Sequence, residues 1–163
     1  MKVTFTRTGE RRYRIDVEGK GVIRSFMEPA AGYDERLPHD IAHFIVEKYL
    51  GLTGAVYGRL AAGGHQFQPL DGKRLTGKKG HDNITADQRR EADMVERVID
   101  IAQHHAWIGR AHSGSMVKGL SETDIAALCR EFDRVSAIWS QLKVGGSITL
   151  DWDPSLSPKA HRK

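Results

Sequence analysis

Val3-Thr4-Phe5-Thr6 is followed by Thr8-Gly9-Glu10, then by Tyr13-Arg14-Ile15-Asp16-Val17-Glu18, and then by Gly19-Lys20-Gly21. Apolar and polar residues alternate with a period of two in both longer runs, which predicts strands with one buried and one solvated face. The two glycine-containing segments are short enough to be tight connections. A third run, Val22 to Met27, ends at Pro29. Three strands over 2–7, 12–18 and 21–27 joined by tight turns predict an antiparallel meander. Near the other end, Gly145-Gly146 precedes Ile148, Leu150 and Trp152, which alternate as a strand over 147–152. That isolated strand needs a partner, and the open edge of the meander supplies one.

Between these strands the period changes to that of a helix. Ile41, Ala42, Ile45, Tyr49 and Leu52 fall on one side of a 3.6-residue spiral, opened by Pro38 and Asp40 and stopped at Gly51. A short helix is expected over Ala55–Ala62. Residues 63–84, with Gly63, Gly64, Gly72, Gly77, Gly80 and the cluster Lys73, Arg74, Lys78 and Lys79, read as a long loop. Thr85 and Gln88 form a capping box for a helix running to Gly109, with a stripe of Met94, Val95, Val98, Ile99, Ala102 and Ala106. Ser121 caps another, with Ile125, Leu128, Phe132, Val135, Trp139 and Leu142 on its apolar face. The class is therefore α+β: an N-terminal antiparallel meander joined by the C-terminal strand and covered by three to four helices, chiefly the two long ones. Residues 1–152 form one domain, and 153–163 read as a flexible basic tail.

Composition limits what this fold can do. The 163 residues are 39% hydrophobic and 28% charged, which suits a globular domain. Twenty-five basic against twenty-one acidic residues give a charge of +4, too small to point to nucleic acid. The single cysteine, Cys129, excludes an internal disulfide and any multi-cysteine metal site, and its place on an apolar stripe predicts an inert thiol. No apolar run is long enough for a membrane span, and the opening residues lack a signal-peptide core, so a cytoplasmic location is expected.

The segment Leu37-Pro38-His39-Asp40-Ile41-Ala42-His43-Phe44-Ile45-Val46-Glu47 carries the densest chemistry. His39, His43 and Glu47 recur every fourth residue and lie within about 80° of one another on the helix, beside the apolar stripe. Imidazoles and carboxylates are ligands for zinc and other divalent transition metals. Three ligands on successive turns span about 12 Å of helix axis, so the two histidines plus a ligand from another element make the better set. His105, on the inward arc of its helix with Val98 and Ala102, is the candidate third ligand. His39, His43 and His105 are thus the candidate metal ligands, and Asp40 or Glu47 the candidate catalytic carboxylate activating water. Two other readings stay open: a capped helix with a polar margin, and an anion site at the helix N-terminus, whose positive end opposes a cation.

His39-Asp40-x-x-His43 resembles the His-Glu-x-x-His motif of zinc metallopeptidases, with Asp40 at the general-base position and one methylene shorter. The full eleven-residue segment is similar to one in small uncharacterised bacterial proteins. The first resemblance implies a zinc-dependent hydrolase; the second implies no particular activity.

Other motifs fail on chemistry. Gly72 to Lys79 approaches a phosphate-binding loop, but Lys79 stands where a magnesium-holding hydroxyl belongs. His112-Ser113-Gly114-Ser115 lacks the nucleophile elbow of serine hydrolases. The expected function is a metal-dependent hydrolase acting on a small molecule or peptide, with a second copy of the chain as a further partner. The alternative is a non-catalytic binding or assembly module that holds no metal. Its distinguishing signs are dispersed histidines and a contiguous exposed apolar patch.

Overall fold

The computed structural model describes residues 1–64, 66–71, 84–108, 117 and 119–153, with residues 105 and 108 as backbone only. Strands β1 (Lys2–Gly9), β2 (Arg12–Glu18) and β3 (Ser25–Met27) lead into helices α1 (His39–Leu50) and α2 (Val56–Ala61). A two-residue strand β4 (Gln68–Pro69), helices α3 (Ala86–Gln103) and α4 (Glu122–Trp139) and strand β5 (Ser147–Asp151) complete the order. The five strands form one antiparallel sheet ordered β4-β3-β2-β1-β5. The fold is α+β, with the C-terminal strand on the free edge of β1.

Register follows the alternation. Val3 pairs with Val17 and Leu150, and Phe5 with Ile15 and Ile148, so one face of β1, β2 and β5 is apolar. Val3, Phe5, Tyr13, Ile15 and Val17 are buried beneath the helices. The amide of Trp152 donates to Met1 O, continuing the β1–β5 ladder past the last strand residue.

The strands differ from expectation in places: β1 runs on to Gly9 and β5 ends at Asp151. The third strand begins at Ser25 rather than residue 21, because Gly21 takes a φ of 76° and Val22 N–H bonds back to Gly19 O, keeping the chain in a turn. The stretch read wholly as loop contributes β4, whose pairing with β3 is extended by Leu70 N–H bonding to Arg24 O. Residues 72–83 and the tail from 154 lie outside the described residues.

The capping boxes form as their residues require. Thr85 and Gln88 exchange side-chain and backbone bonds at the start of α3, and Ser121 and Asp124 do so at α4. Pro38 is the N-cap of α1, one position earlier than the first turn.

Helix α1 is the element laid directly on the sheet, in front of the longer α3. Every residue from Ile41 to Glu47 is buried, so nearly the full circumference of its middle is enclosed. Phe44 meets Phe5 and Trp152 edge-on, at centroid distances of 6.3 and 5.5 Å. α3 and α4 pack against α1 and against each other, and α4 also reaches β5. Trp139 of α4 is fully buried, edge-on to Tyr13 at 5.8 Å, with its indole N–H donating to Asp34 O. This enclosure of α1 carries His43 and Glu47 into the interior. No described helix is long and apolar enough to cross a membrane.

Candidate metal centre

His39 and His43 are one turn apart on α1 and point the same edge of their rings at one place. Their Nε2 atoms are 3.1 Å apart. A carboxylate of α3, Glu96, completes the group: its Oε1 lies 3.0 Å from His43 Nε2 and 3.4 Å from His39 Nε2. These three edges are near the separation of about 3.3 Å expected between neighbouring ligands of a tetrahedral zinc at about 2.0–2.1 Å. Among the described residues this is the group whose ligand atoms converge closely enough to hold a metal ion.

The group is closed on the helix side and open outward. His43 is 8% exposed, whereas the side chains of His39 and Glu96 are 44% and 55% exposed. An ion held by these three side chains would keep a coordination position open to water or substrate.

His39 is held closely by Gly32. Its amide donates to Gly32 O, and the Gly32 Cα faces the His39 side chain closely enough that a Cβ there would sit 2.8 Å from His39 Cβ.

Behind His43 the other ring nitrogen meets Glu47. His43 Nδ1 and Glu47 Oε1 are 3.5 Å apart, and neither has a hydrogen-bond partner among the described residues. The second carboxylate oxygen, Oε2, accepts from the amides of Tyr57 and Gly58 at 2.8 and 3.3 Å. Glu47 is wholly buried, at 0% exposure. It therefore sits on the far side of His43 from Glu96 and does not share the outward-facing position where a reacting water would stand.

Asp40, one residue along from His39, takes the hydrogen bond of the Tyr13 hydroxyl, and its backbone carbonyl accepts from Tyr57. Burial raises its carboxyl pKa against the opposing pull of Tyr13, His43 and His39. Burial alone would lower the His43 pKa, but the Glu47 and Glu96 carboxylates outweigh it and raise it. Partial burial would raise Glu96, yet His43 and then His39 bring it down. Asp40 in the first turn of α1 and Glu96 beside His39 put negative charge near the positive helix end, which answers the electrostatic objection to a cation there.

The anion reading finds little room here. Among the first four amides of α1, His39 is bonded to Gly32 O, while Ile41 and Ala42 are bonded to Pro38 O.

Of the residues singled out from sequence, His39, His43 and Asp40 are gathered at one end of α1, and Glu47 lies behind them. The side chain of His105 lies outside the described residues. Its backbone belongs to a π-helical turn, His104–Ile108, so the 100° rotation used to place it on the stripe does not apply past Gln103. His65, His81, His112 and His161 also lie outside the described residues. His104 turns its Nδ1 to Asp100 O. Cys129 is half-buried, and burial foremost pushes its thiol pKa up, as an inert thiol requires. Glu96 was not among the sequence candidates; as a glutamate on the polar side of an amphipathic helix it carries no local signal. No protein-family model, curated protein or solved structure matches this chain.

Proposed function

We propose that the chain is a zinc-type metal-dependent hydrolase whose centre is His39, His43 and Glu96. The observation that supports this reading is the triangle of Nε2, Nε2 and Oε1 atoms at 3.0–3.4 Å. Three lone-pair donors crowd together only around positive charge, either shared protons or a cation. Two histidines and one carboxylate with an open fourth position form a ligand set of catalytic zinc, and also of non-haem iron(II). Both histidines present Nε2 from i and i+4 of one helix while the carboxylate arrives from another.

A bound divalent metal would polarise a scissile carbonyl or phosphoryl group and make a bound water nucleophilic at neutral pH. The chain's own residues supply the rest. Asp40 follows His39 in the chain, and the raised pKa of its carboxyl suits it to carry a proton to or from the reacting atoms. Glu47, turned inward, does not serve as the base.

The test is elemental analysis of protein purified without a polyhistidine tag, followed by hydrolysis assays on ester, amide and phosphoester substrates. About one equivalent of zinc, with activity lost on chelation and regained on adding zinc, is the expected result. Iron in its place would redirect the reading to oxidative chemistry, and protein whose hydrolysis ignores chelators would overturn it.

A groove between α1, α4 and β5 supports the second reading, a binding or assembly module. At the open edge of the sheet, apolar residues such as Ile45, Ile138 and Leu150 line it together with the charged Lys48, Glu131 and Arg134. Convergent rather than dispersed histidines favour the metal reading.

A further inference from the structure

The geometry points to Glu47 as the positioning residue of the metal centre: its buried carboxylate keeps the hydrogen of neutral His43 on Nδ1, leaving Nε2 free to ligate. This inference rests on the metal reading of His39, His43 and Glu96. A histidine that binds metal through one nitrogen commonly donates its other N–H to a carboxylate, which fixes both tautomer and ring orientation. His43 has that arrangement, with Nε2 facing His39 and Glu96 and Nδ1 facing Glu47 Oε1 at 3.5 Å.

Two further observations separate this role from an ordinary buried charge. Glu47 Oε2 is already held by the Tyr57 and Gly58 amides, so the carboxylate cannot turn. Its Oε1 has no hydrogen-bond partner among the described residues, and His43 Nδ1 has none either. An acceptor and a ring nitrogen that are both buried, both unpartnered and aimed at each other suit an N–H donated from Nδ1 to Oε1. A small contraction of the pair, as ligation draws the ring to its place, would bring it within bonding distance.

Glu47→Gln tests this with little change in shape. The Tyr57 and Gly58 amides need an acceptor, and only the amide oxygen of Gln supplies one. Its NH2 must then face His43 Nδ1, donor toward donor, so Nδ1 becomes an acceptor and the ring hydrogen moves to Nε2. The nitrogen that faces His39 and Glu96 can then no longer ligate.

Long-range nitrogen–proton NMR of metal-free protein at pH about 9, where imidazoles are neutral, reads the tautomer directly. The wild type should show His43 hydrogenated at Nδ1, and E47Q at Nε2. Zinc affinity of folded E47Q, measured against a competing chelator, should fall about 10–100-fold. Wild-type His43 hydrogenated at Nε2, or a folded E47Q that binds zinc as tightly as wild type, overturns the role of Glu47. Wild type that binds no zinc overturns instead the metal reading beneath it, and the NMR result tells the two failures apart. If E47Q does not fold, the wild-type tautomer alone decides.

Discussion

The Tyr13 hydroxyl reaches both the Asp40 carboxylate and the Ala31 carbonyl, tying strand β2 to the first turn of α1. A phenol has one hydrogen to donate, so it cannot serve two acceptors fully. Protonating Asp40 resolves the conflict, because Asp40 can then donate to Tyr13 while Tyr13 donates to Ala31. Burial favours the protonated carboxyl and sets the upward pKa direction, against the pull of the Tyr13 hydrogen bond, His43 and His39.

Asp40→Asn should therefore be well tolerated by the fold. The Asn amide can donate to the Tyr13 oxygen as the protonated acid would. Stability at pH 7 is expected to stay within about 0.5 kcal/mol of wild type or to rise. Bound zinc should be retained and hydrolysis lost, with about 10²–10⁴-fold at stake for a proton-transferring group. Thermal melts, metal content and turnover on one sample check all three; full activity in D40N would remove Asp40 from the chemistry.

Ligand substitutions should separate by burial. His39→Ala, His43→Ala and Glu96→Gln should each weaken zinc binding, the histidine variants more than the about 10–100-fold expected for a supporting residue. Metal-free stability should distinguish them. His43→Ala strips the buried Glu47 of its neighbour and should cost about 1–3 kcal/mol. His39→Ala at a half-exposed site should cost about 0.5 kcal/mol. Chelator competition and urea titration give the two numbers, and unchanged metal binding in all three variants would sink the site.

Much of this architecture is legible in the sequence because it repeats locally. Val3/Phe5 and Tyr13/Ile15/Val17 show the pleat directly, and Thr85/Gln88 states the start of α3. β4 is only two residues long and rests on pairing with β3, so no run of its own announces it. His39 and His43 share a helix, and their spacing alone makes them neighbours. Glu96 lies 53 residues from His43 and joins it only once α1 and α3 are packed, which a helical wheel of either helix cannot show. The inward turn of Glu47 is hidden for the same reason: the wheel places it at the margin of α1, but α2 and its preceding loop wrap over that margin.

Metal affinity and metal-free stability should respond to pH in opposite directions. The raised His43 pKa means that its contribution to metal-free stability is full below the unfolded value of about 6.5 and is lost as pH rises through the folded value. Zinc needs the neutral ring, so affinity should rise over that same window, which lies above 6.5. Glu96, with its pKa lowered, remains a carboxylate throughout this window. Melting curves from pH 5 to 9 with zinc and with chelator should therefore diverge as pH rises. Curves that stay parallel would mean that His43 does not exchange a proton for a metal.

Gly32 offers a test of how closely the site is supported from outside. Its φ is 68°, in the left-handed region, and a Cβ would meet His39 Cβ at 2.8 Å. Gly32→Ala therefore combines a backbone cost of about 1–2 kcal/mol with a push on the side chain of His39, a proposed metal ligand. Gly21 is the matched control: its φ is 76°, but a Cβ there meets nothing within 4 Å. Both Ala variants should lose similar backbone stability, each kcal/mol lowering Tm by about 2–4 °C in a domain of this size. Only Gly32→Ala should weaken zinc binding, because only there does the added methyl displace His39. Equal zinc affinity in the two variants would show that His39 can yield without moving its Nε2, and that its position is set from within α1 rather than by Gly32.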